Sequence, residues 1–129
     1  MVSQTILVIE NEDAVRENIL ELLEAEGFQT LGTSNGIEGL ALAERRQPQL
    51  ILCDVIMPHY SGYDVLRAVR QHPQLANVPL VLMSAKAAPA DVERGLNAGA
   101  DCYLTKPFSL QTLLDVIARA LESSRTKAS

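Results

Sequence analysis

Asp54 closes the apolar run Leu50-Ile51-Leu52-Cys53 and is followed at once by Val55-Ile56-Met57-Pro58. Three other strand-like runs also end in groups that can do chemistry. Glu10-Asn11 follows Thr5 to Ile9, Ser84 follows Leu80 to Met83, and Lys106 follows Cys102 to Thr105. Open α/β sheets place their chemistry outside the carboxyl ends of the strands. There, Asp54 reads as a nucleophile, because an aspartate can accept a phosphoryl group as a mixed anhydride. Glu10 and Asn11 read as oxygen ligands for a hard cation such as Mg²⁺, which takes one or two carboxylates plus waters and phosphate oxygens. Ser84 can donate a hydrogen bond to a phosphoryl oxygen, and Lys106 can balance the acids as a point charge. Each motif also has a plainer reading taken alone. Acids in Glu10-Asn11-Glu12-Asp13 suit the start of a helix, where the macrodipole favours them. Asp54, Ser84 and Lys106 could be a loop cap, a turn hydroxyl and an exposed cation.

The elements that must position these groups alternate along the whole chain. Strands are expected at Thr5–Ile9, Phe28–Thr33, Leu50–Cys53, Leu80–Met83 and Cys102–Thr105. Helices are expected at 12–26, 35–46, 62–71 and 89–98, with a last one after a Ser109 cap. The stripe Val15, Ile19, Leu22 and Leu23 marks the first helix, and Leu110, Leu113, Leu114, Ile117 and Leu121 mark the last. Gly27 and Gly99 suit helix ends, Asn35 or Ser34 suits a cap, and Pro89 suits a first turn. Such alternation predicts an α/β fold, a doubly wound, five-stranded parallel sheet with helices on both faces. The first, third and fourth strands are apolar on both faces and belong at the centre. The second and fifth carry Gln29, Thr30 and Asp101, Thr105 and belong at the edges. Right-handed crossovers then give the flavodoxin-like order 2-1-3-4-5.

The chain has 129 residues, 47% of them hydrophobic, which suits one domain with a sizeable core. With 4% aromatic residues and no Trp, that core is aliphatic. A net charge of −5 argues against direct nucleic-acid binding, which needs clustered Lys and Arg. No apolar run nears the ~20 residues of a membrane span, and no secretory signal is visible, so a cytoplasmic protein without membrane contact is expected. Cys53 and Cys102 lie in apolar runs without CxxC spacing and read as reduced core residues. His59 and His72 lie in loops beside prolines and read as surface residues. The expected organisation is one domain over 1–122 and a polar C-terminal tail over 123–129.

Glu10-Asn11, Asp54 with Met57-Pro58 and Gly62, Ser84-Ala85, and Tyr103 with Lys106-Pro107-Phe108 together resemble the receiver domain of two-component response regulators. Asn97-Ala98-Gly99-Ala100-Asp101 adds to the match, which covers about residues 4 to 122. The resemblance implies that Asp54 takes a phosphoryl group from a phosphohistidine of a sensor histidine kinase or phosphotransfer protein. It implies Mg²⁺ held by Glu10, Asn11, Asp54 and the backbone carbonyl of Ile56. Lys106 would pair with the phosphoryl group, Ser84 would move to bond it, and Tyr103 would change rotamer. The switched face would be the fourth helix, fifth strand and fifth helix, read by a downstream output protein or domain and compatible with a homodimer. The module would signal rather than catalyse, at most phosphorylating itself from small phosphodonors and losing the group again.

Three positions depart from the family pattern. Asn11 stands where a second acid is usual, which predicts weaker Mg²⁺ binding. Apolar Ile56 stands where many members carry a polar group, which predicts slow self-dephosphorylation. Ser84 replaces the more frequent threonine and keeps the hydroxyl. Asn11 is also the main support for an alternative, a pseudo-receiver that binds partners without phosphorylation. A flavin carrier fits poorly, since the acids after the first strand would repel a phosphate. A D-x-D aspartyl phosphatase lacks its second acid, because that position is Ile56.

Overall fold

The computed structural model describes residues 3–128, with side chains described over residues 3–123. Ten elements alternate: β1 (Thr5–Ile9), α1 (Asp13–Ala25), β2 (Gln29–Thr33), α2 (Gly36–Arg46), β3 (Leu50–Asp54), α3 (Gly62–Gln71), β4 (Leu80–Ser84), α4 (Pro89–Asn97), β5 (Cys102–Thr105) and α5 (Leu110–Ala128). The strands form one parallel sheet in the order β2-β1-β3-β4-β5. The three fully apolar strands are central and the two polar ones are edges, as expected from their composition.

Successive strand residues point to opposite faces, so each central strand feeds two cores. Ile6, Val8, Leu50, Leu52, Val81 and Met83 face α1 and α5, meeting Ile19, Leu23, Leu113 and Ile117. Leu7, Ile9, Ile51, Cys53 and Leu82 face the opposite side, meeting Ala43 of α2 and Val65, Leu66 and Val69 of α3. This double burial is what pins the register. Ile9 lies opposite Cys53, Asp54 opposite Met83, and Ser84 opposite Thr105. A slip of one residue would exchange the close-packed side chains of the two cores and draw Glu10, Asp54 and Ser84 out of line. The carboxyl ends are therefore level, and the groups that follow them share one edge.

Local signals set where the helices start and stop. Asn35 Oδ1 accepts the Glu38 N–H, and Ser109 Oγ accepts the Thr112 N–H. Ser61 and Asp64 form a reciprocal capping box at the start of α3, a cap that the sequence reading did not single out. Gly27 and Gly99 follow helix ends with φ of 96° and 114°, values that favour glycine. The backbone of α5 continues to Ala128, past the point where the sequence reading starts a polar tail. No Gly or Pro stands between Leu110 and Ala128 to stop the helix. Residue 129 and the side chains beyond 123, part of that expected tail, lie outside the described residues.

Candidate functional site

Asp54 is the last residue of β3 and is tied to the neighbouring strand, because the Val55 N–H donates to the Met83 carbonyl at 2.9 Å. Gly62 begins α3 against this turn, with its N–H donating to the Val55 carbonyl. A Cβ at Gly62 would collide with the Asp54 carbonyl oxygen, so only glycine lets the helix start so close to the acid.

Glu10 follows β1 and is fully buried. Its Oε1 accepts from Lys106 Nζ at 2.5 Å, and its Oε2 accepts from the Glu12 N–H at 3.0 Å. Arg16, one turn into α1, donates to the Glu10 carbonyl at 2.8 Å and pairs with Asp13. The sequence reading missed Arg16. Its spacing of three from Asp13 was the available signal, a helical ion pair that fixes the arginine over the loop.

Lys106 leaves β5 with its N–H on the Ser84 carbonyl at 2.8 Å, and the Lys106-Pro107 bond is cis. Its ammonium reaches both acids, at 2.5 Å from Glu10 and 3.4 Å from Asp54 Oδ1. Burial works against that ammonium, and the Glu10 and Asp54 carboxylates outweigh it, so its pKa is raised. Asp54 itself is pushed up to about 6 by burial and by the Glu10 charge, with Lys106 opposing. Two buried acids thus share one cation.

Ser84 is buried, and its Oγ accepts the Lys86 N–H at 3.1 Å. The Lys86 carbonyl in turn accepts from the Tyr103 hydroxyl at 2.9 Å. One peptide segment therefore joins Ser84 to Tyr103. Lys86 itself is exposed.

The remaining expected ligands lie in exposed loops at the carboxyl ends of β1 and β3. Asn11 is exposed in the loop after β1, and Ile56 is 58% exposed in the loop after β3. Among the described residues no three His, Cys, Asp or Glu side chains gather as a metal site. Glu10 and Asp54 are the carboxylates that could hold a cation, and Asn11 and the Ile56 carbonyl are the further oxygens expected from the sequence. That all-oxygen set suits Mg²⁺, and it is short of negative charge by one acid.

Neither histidine contributes. His59 is exposed, while His72 is partly buried, 3.4 Å from Glu44, because the end of α3 packs beside α2. Cys53 is buried under the site, where burial first and then Asp54 and Glu10 push its thiol pKa up, so it stays protonated.

Strand order and edge chemistry together define a flavodoxin-like α/β domain whose site lies at the switch point between β1 and β3. The response regulator receiver domain model matches residues 6–118. The polar-differentiation response regulator DivK of Brucella anthropi is 31% identical over 114 residues, which cover 88% of this chain and 93% of DivK. The phosphate regulon transcriptional regulatory protein PhoB of Pseudomonas aeruginosa is 35% identical over 114 residues, 88% of this chain but 50% of PhoB. Chemotaxis protein CheY4 of Vibrio cholerae superposes with a TM-score of 0.87 at 27% identity, over 92% of this chain and 99% of that one. The receiver domain of a Pseudomonas aeruginosa sensor histidine kinase, solved with a magnesium ion coordinated in its active site cleft, gives 0.86 at 30% identity, over 94% and 99%. The chain belongs to the response regulator receiver domain family. Among the described residues no helix is long and apolar enough to cross a membrane.

Proposed function

We propose that Asp54 is the phosphoacceptor of a two-component phosphorelay. The observation that carries this reading is the convergence of Asp54, Glu10 and Lys106 on one edge, with the ammonium 3.4 Å from the reacting acid. A carboxylate oxygen of Asp54 forms the bond to phosphorus. The bond from phosphorus to the histidine nitrogen of a sensor kinase or phosphotransfer protein breaks, and that nitrogen keeps the electron pair. Phosphoryl transfer is mainly positioning and charge neutralisation. Lys106 supplies one positive charge, and Ser84 Oγ supplies a hydrogen bond to a phosphoryl oxygen.

Glu10, Asn11, Asp54 and the Ile56 carbonyl are the residues that would hold Mg²⁺. Bound there, the ion would neutralise phosphoryl oxygens that two acids otherwise repel. The magnesium in the cleft of the related kinase receiver supports this assignment.

Output follows from the Lys86 segment. When Ser84 turns to donate to the phosphoryl group, the Lys86 N–H loses its acceptor and the loop carrying the Tyr103 bond is free to shift. The surface of α4, β5 and α5 then changes, and it carries exposed Leu96 on α4 and Leu110 on α5. An output protein or domain, or a second copy, that prefers one form of this face reads the state. The shift is limited by its differential affinity.

The test is mass spectrometry after incubation with acetyl phosphate and Mg²⁺. One phosphoryl group should be added to the parent chain and none to Asp54→Asn. One observation favours a second reading, the pseudo-receiver: the site lacks a third acid because Asn11 is an amide. Partner binding without any added mass would select it.

A further inference from the structure

Gly95 lies in the interior of α4, where glycine is the poorest helix former short of proline. Its φ is not positive, so backbone conformation does not require it. Its environment does. A Cβ at this position would stand 2.8 Å from Cδ2 and 3.2 Å from Cε2 of the Tyr103 ring, and 3.3 Å from Leu82 Cδ1. The Cδ2–Cε2 edge of the ring occupies the space a side chain would fill.

The neighbours decide what would yield. Leu82 is fully buried in central strand β4, opposite Tyr103 in register. The end of α4 is anchored too. The Gly95 carbonyl accepts the Ala100 N–H, and the Gly99 carbonyl accepts from Arg70. Helix and strand are thus held, while the far end of the Tyr103 ring is held by its hydroxyl bond to Lys86 in an exposed loop. The ring is the movable partner.

We propose that Gly95 is a positioning residue for the Tyr103 switch: its missing side chain is the seat that lets the ring reach Lys86. Any residue with a Cβ at 95 closes the seat, drives the ring outward and uncouples it from the loop that follows Ser84. This rests on the switch described above for its signalling meaning, whereas the seat itself is a property of the unphosphorylated chain.

The experiment uses the full chain labelled with 3-fluorotyrosine. Its three tyrosines give three fluorine signals, with Tyr103 assigned by Tyr103→Phe. Gly95→Ala should move the Tyr103 signal before any phosphodonor is added. It should also shrink the change that acetyl phosphate and Mg²⁺ produce in that signal. In denaturant melts, Gly95→Ala should destabilise the parent. In a Tyr103→Ala background it should instead stabilise, by about fivefold in the folded-to-unfolded ratio, as helix propensity dictates. An unmoved Tyr103 signal overturns the proposal. So does an equal loss in both backgrounds, which would assign the glycine to Leu82 alone. If Gly95→Ala does not fold, recovery of folding in the double variant supports the seat, and failure of both overturns it. Absence of added mass on the parent would defeat the phosphoacceptor reading and leave the melts and the unphosphorylated spectra to judge Gly95.

Discussion

The Lys106 ammonium sits nearer to Glu10, at 2.5 Å, than to Asp54, at 3.4 Å. The lysine leans on Glu10, and Asp54, the proposed acceptor, is the less closely held of the two acids. Lys106→Met would leave Glu10 fully buried without its ion partner. Losing one member of a buried pair costs about 3 kcal/mol, and urea melts near neutral pH should show it. An unchanged midpoint would mean that the pair adds nothing to the fold.

Acid dependence should centre on Asp54, whose pKa rises from an ordinary 3.8 to about 6. The folded chain then holds an extra proton between those values. This contribution to stability is complete below the unfolded pKa and is lost as pH rises through about 6. Above that, the ionised carboxylate costs on the order of 3 kcal/mol. Without divalent ions, Asp54→Asn should therefore be more stable than the parent at roughly pH 7.5, with the gap closing near pH 4. Parallel melts at both values check the sign.

Arg70 fastens the amino end of the sheet. Its guanidinium donates to the carbonyls of Gly99 and Val78 and to Asp101 Oδ2, at 2.7 to 3.1 Å. Asp101 in turn accepts the Leu80 N–H at 2.8 Å. Arg70→Ala should cost about 3 kcal/mol, and Arg70→Lys should recover little, since an ammonium cannot span that fork. Hydrogen exchange at Leu80 should accelerate in both variants; protection equal to the parent would count against the clasp.

Magnesium affinity should respond to position 11. Asn11→Asp adds a charged oxygen where the site has two carboxylates, and should tighten Mg²⁺ binding by about tenfold. Calorimetric titration measures it, and equal affinities would remove Asn11 from the ligand set.

Ile56 should govern how long the acyl phosphate lasts. It is an apolar group two residues after the proposed acceptor, with 58% of its surface exposed. Ile56→Asn should hasten loss of the phosphoryl group several-fold, followed by mass on isolated phosphoprotein; equal half-lives would free Ile56 of that role.

Much of this was legible in the chain because the signals are local. Asp54 and Ser84 end apolar runs, and the burial that makes those runs apolar also fixes which residue comes last in the strand. Asn35 and Ser109 cap helices through bonds that span three positions. What stayed hidden depends on distant partners. Arg70 and Asp101 are 31 residues apart, and neither sequence neighbourhood announces the other. Nothing around Gly95 in the chain announces the Tyr103 ring that packs against it. His72 read as a surface residue because nothing near it in the chain reveals Glu44 across the helix pair.

Glu10 and Lys106 meet across 96 positions, and Asp54 and Ser84 arrive on two further strands between them. A nascent chain that has emerged only through β4 already carries both acids, yet lacks the ammonium they share. The charge balance of this edge is thereby withheld until the last strand of the sheet has zipped into place.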